Sequence, residues 1–170
     1  GGGFLPLEVA RSAERAGRPV FVLALEGEAS PELESPGRGL AWRPLGRLQA
    51  IMDALHGAGV RDLVLAGRVD ITHLFGGLQF DDRLLALLAA LPDKRGNAIL
   101  SGLAAELELD GFRVLETPAA VPGLVTPRGL LAGPTLPGGR IHDLTYTQKL
   151  PQEVARLDIG QTVVVKDRSV

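Results

Sequence analysis

The sequence has no cysteine, which excludes disulfides, thiolate zinc sites and thiol nucleophiles. Aromatic residues are only 4% of the chain, which argues against a platform of stacked rings for nucleic acid or sugars. Eighteen basic side chains against 20 acidic ones leave a net charge of −2. No basic field attracts a polyanion, so no nucleic-acid partner is expected. The longest apolar stretch, Leu84 to Leu91, is far short of the ~20 residues that cross a bilayer. No charged-then-apolar leader is present, which makes the cytoplasm the expected compartment.

What remains is a globular composition, 45% hydrophobic and 22% charged, in 170 residues that also hold 22 glycines and 12 prolines. That length suits one domain, or one domain and part of a second. The chain opens on Gly1-Gly2-Gly3 and closes on a Val-rich run, a turn and the first residue of a further element. It therefore reads as an excerpt.

Pro6, followed by Leu7, Val9, Ala10, Ala13 and Ala16 at helical spacing, predicts a first helix that Gly17 stops. Pro19 to Leu25 is a continuous apolar run, the pattern of a strand covered on both faces. A polar loop spans Glu26 to Arg38, and a short strand follows at Gly39 to Trp42. Leu45, Leu48, Ile51, Met52 and Leu55 mark a second helix, ended by Gly57 and Gly59. Asp62 to Gly67 predicts another buried strand, and further helices lie on Leu84 to Leu91 and Ile99 to Leu107. A strand returns at Phe112 to Leu115. Strands alternating with helices predict an α/β fold, a mostly parallel sheet with helices on both faces. The expected domains are 1–117, a Gly/Pro-rich connector at 118–140, and the start of a second α/β domain at 141–170. Within the last, a helical stretch from Ile141 to Ile159 is interrupted by Pro151, Gly160 ends it, and Val163 to Val165 reads as a strand.

Few residues carry an obvious chemistry. Gly1, Gly2 and Gly3 running into a helix resemble a phosphate-cradling turn, because glycine lets backbone N–H groups approach an anion at a helix N-terminus. The strict G-x-G-x-x-G spacing is broken by Pro6. A helix N-terminus is worth ~0.3–2 kcal/mol per favourable charge, against the ~8–23 kcal/mol of barrier lowering that an enzyme supplies. Such a loop holds a diphosphate and does not cleave one. Arg68, just past a glycine at the carboxyl end of a strand, is a candidate anion contact. His56, His73 and His142 lack metal-ligand spacing, and Asp81-Asp82 reads as a helix cap. Thr126-Pro127-Arg128-Gly129 suits a turn, and Arg156 and Asp158 suit an ion pair at a helix end.

Taken together, four segments resemble the LpxI-type UDP-2,3-diacylglucosamine pyrophosphatases of lipid A biosynthesis. They are Gly1-Gly2-Gly3-Phe4-Leu5-Pro6-Leu7-Glu8, Leu65-Ala66-Gly67-Arg68-Val69, Thr126-Pro127-Arg128-Gly129, and Arg156-Leu157-Asp158-Ile159-Gly160-Gln161 running into Thr162-Val163-Val164-Val165. The resemblance implies a Rossmann-like N-terminal domain followed by a distinct C-terminal domain, and hydrolysis of the diphosphate of UDP-2,3-diacylglucosamine to UMP and 2,3-diacylglucosamine 1-phosphate, with Mg²⁺ or Mn²⁺. It implies a ligand wall of Gly1, Gly2, Gly3, Arg68, Thr126, Asp158 and Gln161, with the catalytic groups beyond Val170 and no metal ligand assigned in these residues. Where family members often read Lys-Gly-Asp-Asp, this chain reads Arg95-Gly96-Asn97-Ala98. The implied partner is the UDP-linked diacylated glucosamine itself, with peripheral contact at the inner membrane and a homodimer as further expectations. The alternative is a nucleotide- or sugar-phosphate-binding module without hydrolytic activity.

Overall fold

The computed structural model describes residues 1–70, 79–93, 95–135, 137–157, 159–160, 162–166 and 169. Two compact units divide the chain, Gly1–Val125 and Thr126–Val170.

The first unit is built on one repeated joint. Helix α1 (Leu5–Arg15) has Pro6 in its first turn, with Glu8 near its start and Arg15 near its end, matching the helix dipole. It ends on Gly17, at φ +69°. The N–H of Gly17 donates to Glu14 O at 2.9 Å and that of Arg18 to Ala13 O at 3.0 Å, the paired bonds that satisfy a helix's last carbonyls. The same joint closes α2 (Leu48–Gly57) through Gly59 and Val60, bonded to His56 O and Leu55 O. An α-helix at Gly96–Leu109 closes likewise through Gly111 and Phe112, bonded to Glu108 O and Leu107 O. After each joint the chain turns at once into a strand: β1 (Phe21–Leu25), β3 (Asp62–Val64) and β4 (Arg113–Leu115).

β1 pairs in parallel with β2 (Gly39–Arg43), Phe21 opposite Gly39 and Leu25 opposite Arg43. β3 pairs in parallel with β4, Asp62 opposite Arg113 and Val64 opposite Leu115. The fold is therefore α/β. Among the described residues, however, the strands form two separate pairs rather than one hydrogen-bonded Rossmann-like sheet. The strand expected over Asp62 to Gly67 stops at Val64, because from Leu65 the backbone turns toward Gly67.

The alternation of β1 explains its unbroken apolar run. Phe21 and Leu23 pack against a core of Leu48, Met52, Leu55, Leu84, Leu107 and Phe112, supplied by the second, third and fourth helices and the residue before β4. Val22 and Ala24 face the other way, to Leu7 of α1 and Leu33 of a short 3₁₀ turn at Pro31–Leu33. A strand buried on both faces needs no polar side. The third and fourth helices are α3 (Asp82–Ala90) and α4 (Gly96–Leu109).

Polar contacts fix the long loop between β1 and β2. Arg38, whose side chain is only 4% exposed, donates through Nε and Nη2 to both carboxylate oxygens of Glu14 at 2.7 and 2.9 Å. Its Nη1 donates to Leu33 O at 2.7 Å, so one guanidinium joins the loop to α1. The unit ends with α5 (Thr117–Ala120) and a 3₁₀ turn at Pro122–Leu124, so the Gly/Pro-rich stretch carries some structure of its own.

In the second unit, α6 (Gly138–Thr147) and α7 (Leu150–Arg156) replace the single interrupted helix predicted from Ile141 to Ile159. Pro151 sits in the first turn of α7, where its missing N–H costs nothing, so the break falls before it. Val163 to Val165 forms no strand among the described residues; only Lys166 and Ser169 bridge, by reciprocal backbone bonds of 3.0 and 2.9 Å. A lone strand without a partner has no ladder to hold it.

Candidate functional site

Three backbone segments meet where β1 and β3 end. Gly2 and Arg68 form an isolated antiparallel bridge: Gly2 N–H donates to Arg68 O at 2.7 Å and Arg68 N–H to Gly2 O at 2.9 Å. The Gly1 nitrogen donates to Ala66 O at 3.1 Å. The turn after β1 closes on the same place, with Glu28 Oε2 accepting the N–H of Asp70 at 3.2 Å.

Glycine is required here by space. A Cβ on Gly1 would lie 2.6 Å from Arg68 O, and one on Gly2 would lie 2.8 Å from Glu28 O. Gly67 combines both constraints, with φ +92° and a Cβ position 2.7 Å from Gly1 C, Gly2 O and Pro6 Cγ. Gly3 differs. Its φ is +90°, yet no atom lies within 4 Å of its Cβ position, so it is open to the outside. Phe4, the residue that caps α1, is 61% exposed and makes no side-chain cap bond. The helix thus starts beside an open glycine, with an exposed arginine, Arg68, on the adjoining turn.

The structure brings together four of the residues picked out from sequence: Gly1, Gly2, Gly3 and Arg68. Thr126 is exposed and belongs to the second unit. Asp158 and Gln161 lie outside the described residues, as does His73. The sequence reading missed Gly67, Glu28 and Asp70. A glycine at the end of an apolar strand was visible, but its contact with Pro6 is not, since 61 positions separate the two. Glu28 read as one more polar residue of a surface loop.

The other polar side chains serve the fold. Asp81 accepts Leu84 N–H at 2.9 Å through Oδ1, capping α3 as expected. Its Oδ2 also accepts Gln49 N–H at 2.7 Å, in the first turn of α2, so one carboxylate caps two helices. Arg83 donates to Glu106 at 2.8 Å and to Asp110 at 2.7 Å, while Asp110 meets His56 Nε2 at 2.6 Å. His56 stacks on Phe112 with ring centroids 4.4 Å apart. The hydrogen bond from Arg83, then that to His56, holds the Asp110 carboxyl below its ordinary range. Among the described residues no three His, Asp or Glu side chains are grouped to hold a metal ion. The described residues by themselves do not fit a divalent cation. No helix among them is long and apolar enough to cross a membrane.

Fold and geometry together define an α/β protein whose candidate site lies at the carboxyl ends of parallel strands, the usual ligand edge of such folds. The model of the LpxI N-terminal domain matches residues 1–124, and the chain belongs to that family. It is similar to the UDP-2,3-diacylglucosamine pyrophosphatase LpxI of Caulobacter vibrioides, 32% identical over 169 residues, which cover 97% of this chain and 59% of the relative.

Proposed function

We propose that this chain is part of a UDP-2,3-diacylglucosamine pyrophosphatase and that its glycine-lined end holds the substrate's diphosphate. The observation that carries the reading is the Gly2–Arg68 bridge, which sets an open glycine, a helix start and an arginine side by side. A helix start and a guanidinium suit phosphoryl oxygens. The activity for which the Caulobacter vibrioides relative is named supports the choice of substrate. The chain spans 59% of that relative; in this reading hydrolysis belongs to the longer protein, with the catalytic groups beyond Val170. The family resemblance alone adds Thr126, Asp158 and Gln161 as proposed ligand contacts, and the proposed reaction gives UMP and 2,3-diacylglucosamine 1-phosphate with Mg²⁺ or Mn²⁺ in the cytoplasm.

The test is UMP release. A protein of the relative's full length should release UMP from UDP-2,3-diacylglucosamine in the presence of Mg²⁺ or Mn²⁺. Release no faster than the blank would remove the reading. The second reading, a binding module without hydrolysis, draws on the lack of a grouped metal-ligand set among the described residues. It predicts calorimetric binding of UMP or UDP-sugars by the full-length protein and no turnover.

A further inference from the structure

We propose that Glu28 is a positioning residue of this site, holding the turn that presents Arg68, so that ligand affinity depends on it and turnover does not. The assignment rests on the reading above, that this end of the domain holds an anionic ligand. Three contacts support it. Two backbone hydrogen bonds to Gly2 engage both the N–H and the C=O of Arg68. Two residues further on, the Asp70 N–H is held by Glu28 Oε2 at 3.2 Å, which continues the restraint past the arginine. The Glu28 carbonyl oxygen also stands 2.8 Å from where a Cβ on Gly2 would lie, so only glycine fits beside it there. Glu28 is half-buried and anchored in turn by its own N–H, which donates to Leu25 O at 3.1 Å at the end of β1.

Its charge is the informative feature. A carboxylate beside an anion site opposes the ligand electrostatically, so the charge itself contributes nothing favourable to binding. Reach and charge are separable by substitution. Glu28→Gln keeps an acceptor at the same distance and removes the charge. Glu28→Asp keeps the charge and falls short of Asp70 by one methylene. Glu28→Ala removes both.

The experiment measures UDP affinity by calorimetry, and kcat and KM for UDP-2,3-diacylglucosamine, in the full-length protein and its three variants. Glu28→Ala and Glu28→Asp should each weaken UDP binding and raise KM about tenfold, the worth of one hydrogen bond to a charged group. kcat should stay within about twofold, because the contact is made equally in ground and transition states. Glu28→Gln should bind as tightly as the wild type or more tightly. Amide exchange at Asp70 should accelerate in the Ala and Asp variants and not in the Gln variant. Wild-type binding of UDP with equal affinity in Glu28→Ala overturns the assignment alone. So does a Gln variant as weak as the Ala variant, since that would make the charge the active feature. A wild type that does not bind UDP overturns the reading of the site and the assignment with it.

Discussion

Replacing Gly67 by alanine tests whether the junction at the strand ends depends on close backbone approach. A Cβ there meets Gly1 C, Gly2 O and Pro6 Cγ, all at 2.7 Å, and the backbone sits at φ +92°. Two costs are combined. A non-glycine residue in such a conformation costs roughly 1–3 kcal/mol. Forcing a methyl group into a filled space adds about 1–3 kcal/mol more. Gly111 offers the control, because its φ is +94° and nothing lies within 4 Å of its Cβ position. Gly111→Ala therefore carries the first cost without the second. Urea unfolding of the two variants should show Gly67→Ala less stable than Gly111→Ala by about 1–3 kcal/mol, a large share of a typical domain's stability. Where the chain escapes the clash by opening the Gly2–Arg68 bridge, exchange of the Arg68 amide should rise even below the unfolding transition. Equal stability of the two alanine variants, with the Arg68 amide still protected, would refute the packing argument.

Asp81→Ala should cost about 2 kcal/mol in urea unfolding, roughly 1 kcal/mol for each helix start it caps. Asp81→Asn should cost less, since one acceptor remains, and a variant as stable as wild type would disprove the double cap. Arg38→Ala should lower the thermal midpoint and expose the loop at 26–38 to proteases, because a single guanidinium joins Glu14 and Leu33 O; unchanged cleavage would contradict this. Asp110 is held below its ordinary range by Arg83 and then His56, so its contribution is present above the unfolded value and lost as pH falls through the folded one. Stability should drop on acidification below about pH 4, and Arg83→Gln should flatten that acid limb in a pH series of unfolding curves.

Local signals in the sequence were read correctly where one residue type has one structural use. Gly17 and Gly59 stop helices because each sits at positive φ just past the last turn, a position glycine fills without strain. Asp81 was legible as a cap from its place before an apolar run, although its second helix was not, since Gln49 lies 32 positions away. The β1 run predicted burial on both faces, which the two opposed cores provide. Pairing was less legible. Leu65 and Ala66 have strand-like side chains, yet the register with β4 ends at Val64. Val163 to Val165 likewise have strand propensity without a pairing partner among the described residues. The candidate site was half visible for the same reason. Glycines and an arginine could be picked out singly, whereas Gly67 against Pro6 and Glu28 against Asp70 are contacts between distant segments.

The magnitudes separate holding a diphosphate from cutting it. The start of a helix such as α1 offers up to ~2 kcal/mol to an anion, and hydrogen bonds from a guanidinium such as that of Arg68 add about 1.5–3 kcal/mol each. Summed over two or three contacts, that is the scale of a millimolar to micromolar complex, about 4–8 kcal/mol. Barrier lowering begins near the top of that range and extends to ~23 kcal/mol, and only interactions stronger in the transition state count toward it. On the proposed reading, the helix start and the Arg68 guanidinium, held at fixed places by the glycine junction at the ends of β1 and β3, would meet ground state and transition state nearly alike. Such fixed groups favour affinity and orientation, and the part of the barrier that needs developing charge to be met or a proton to be moved falls to other groups.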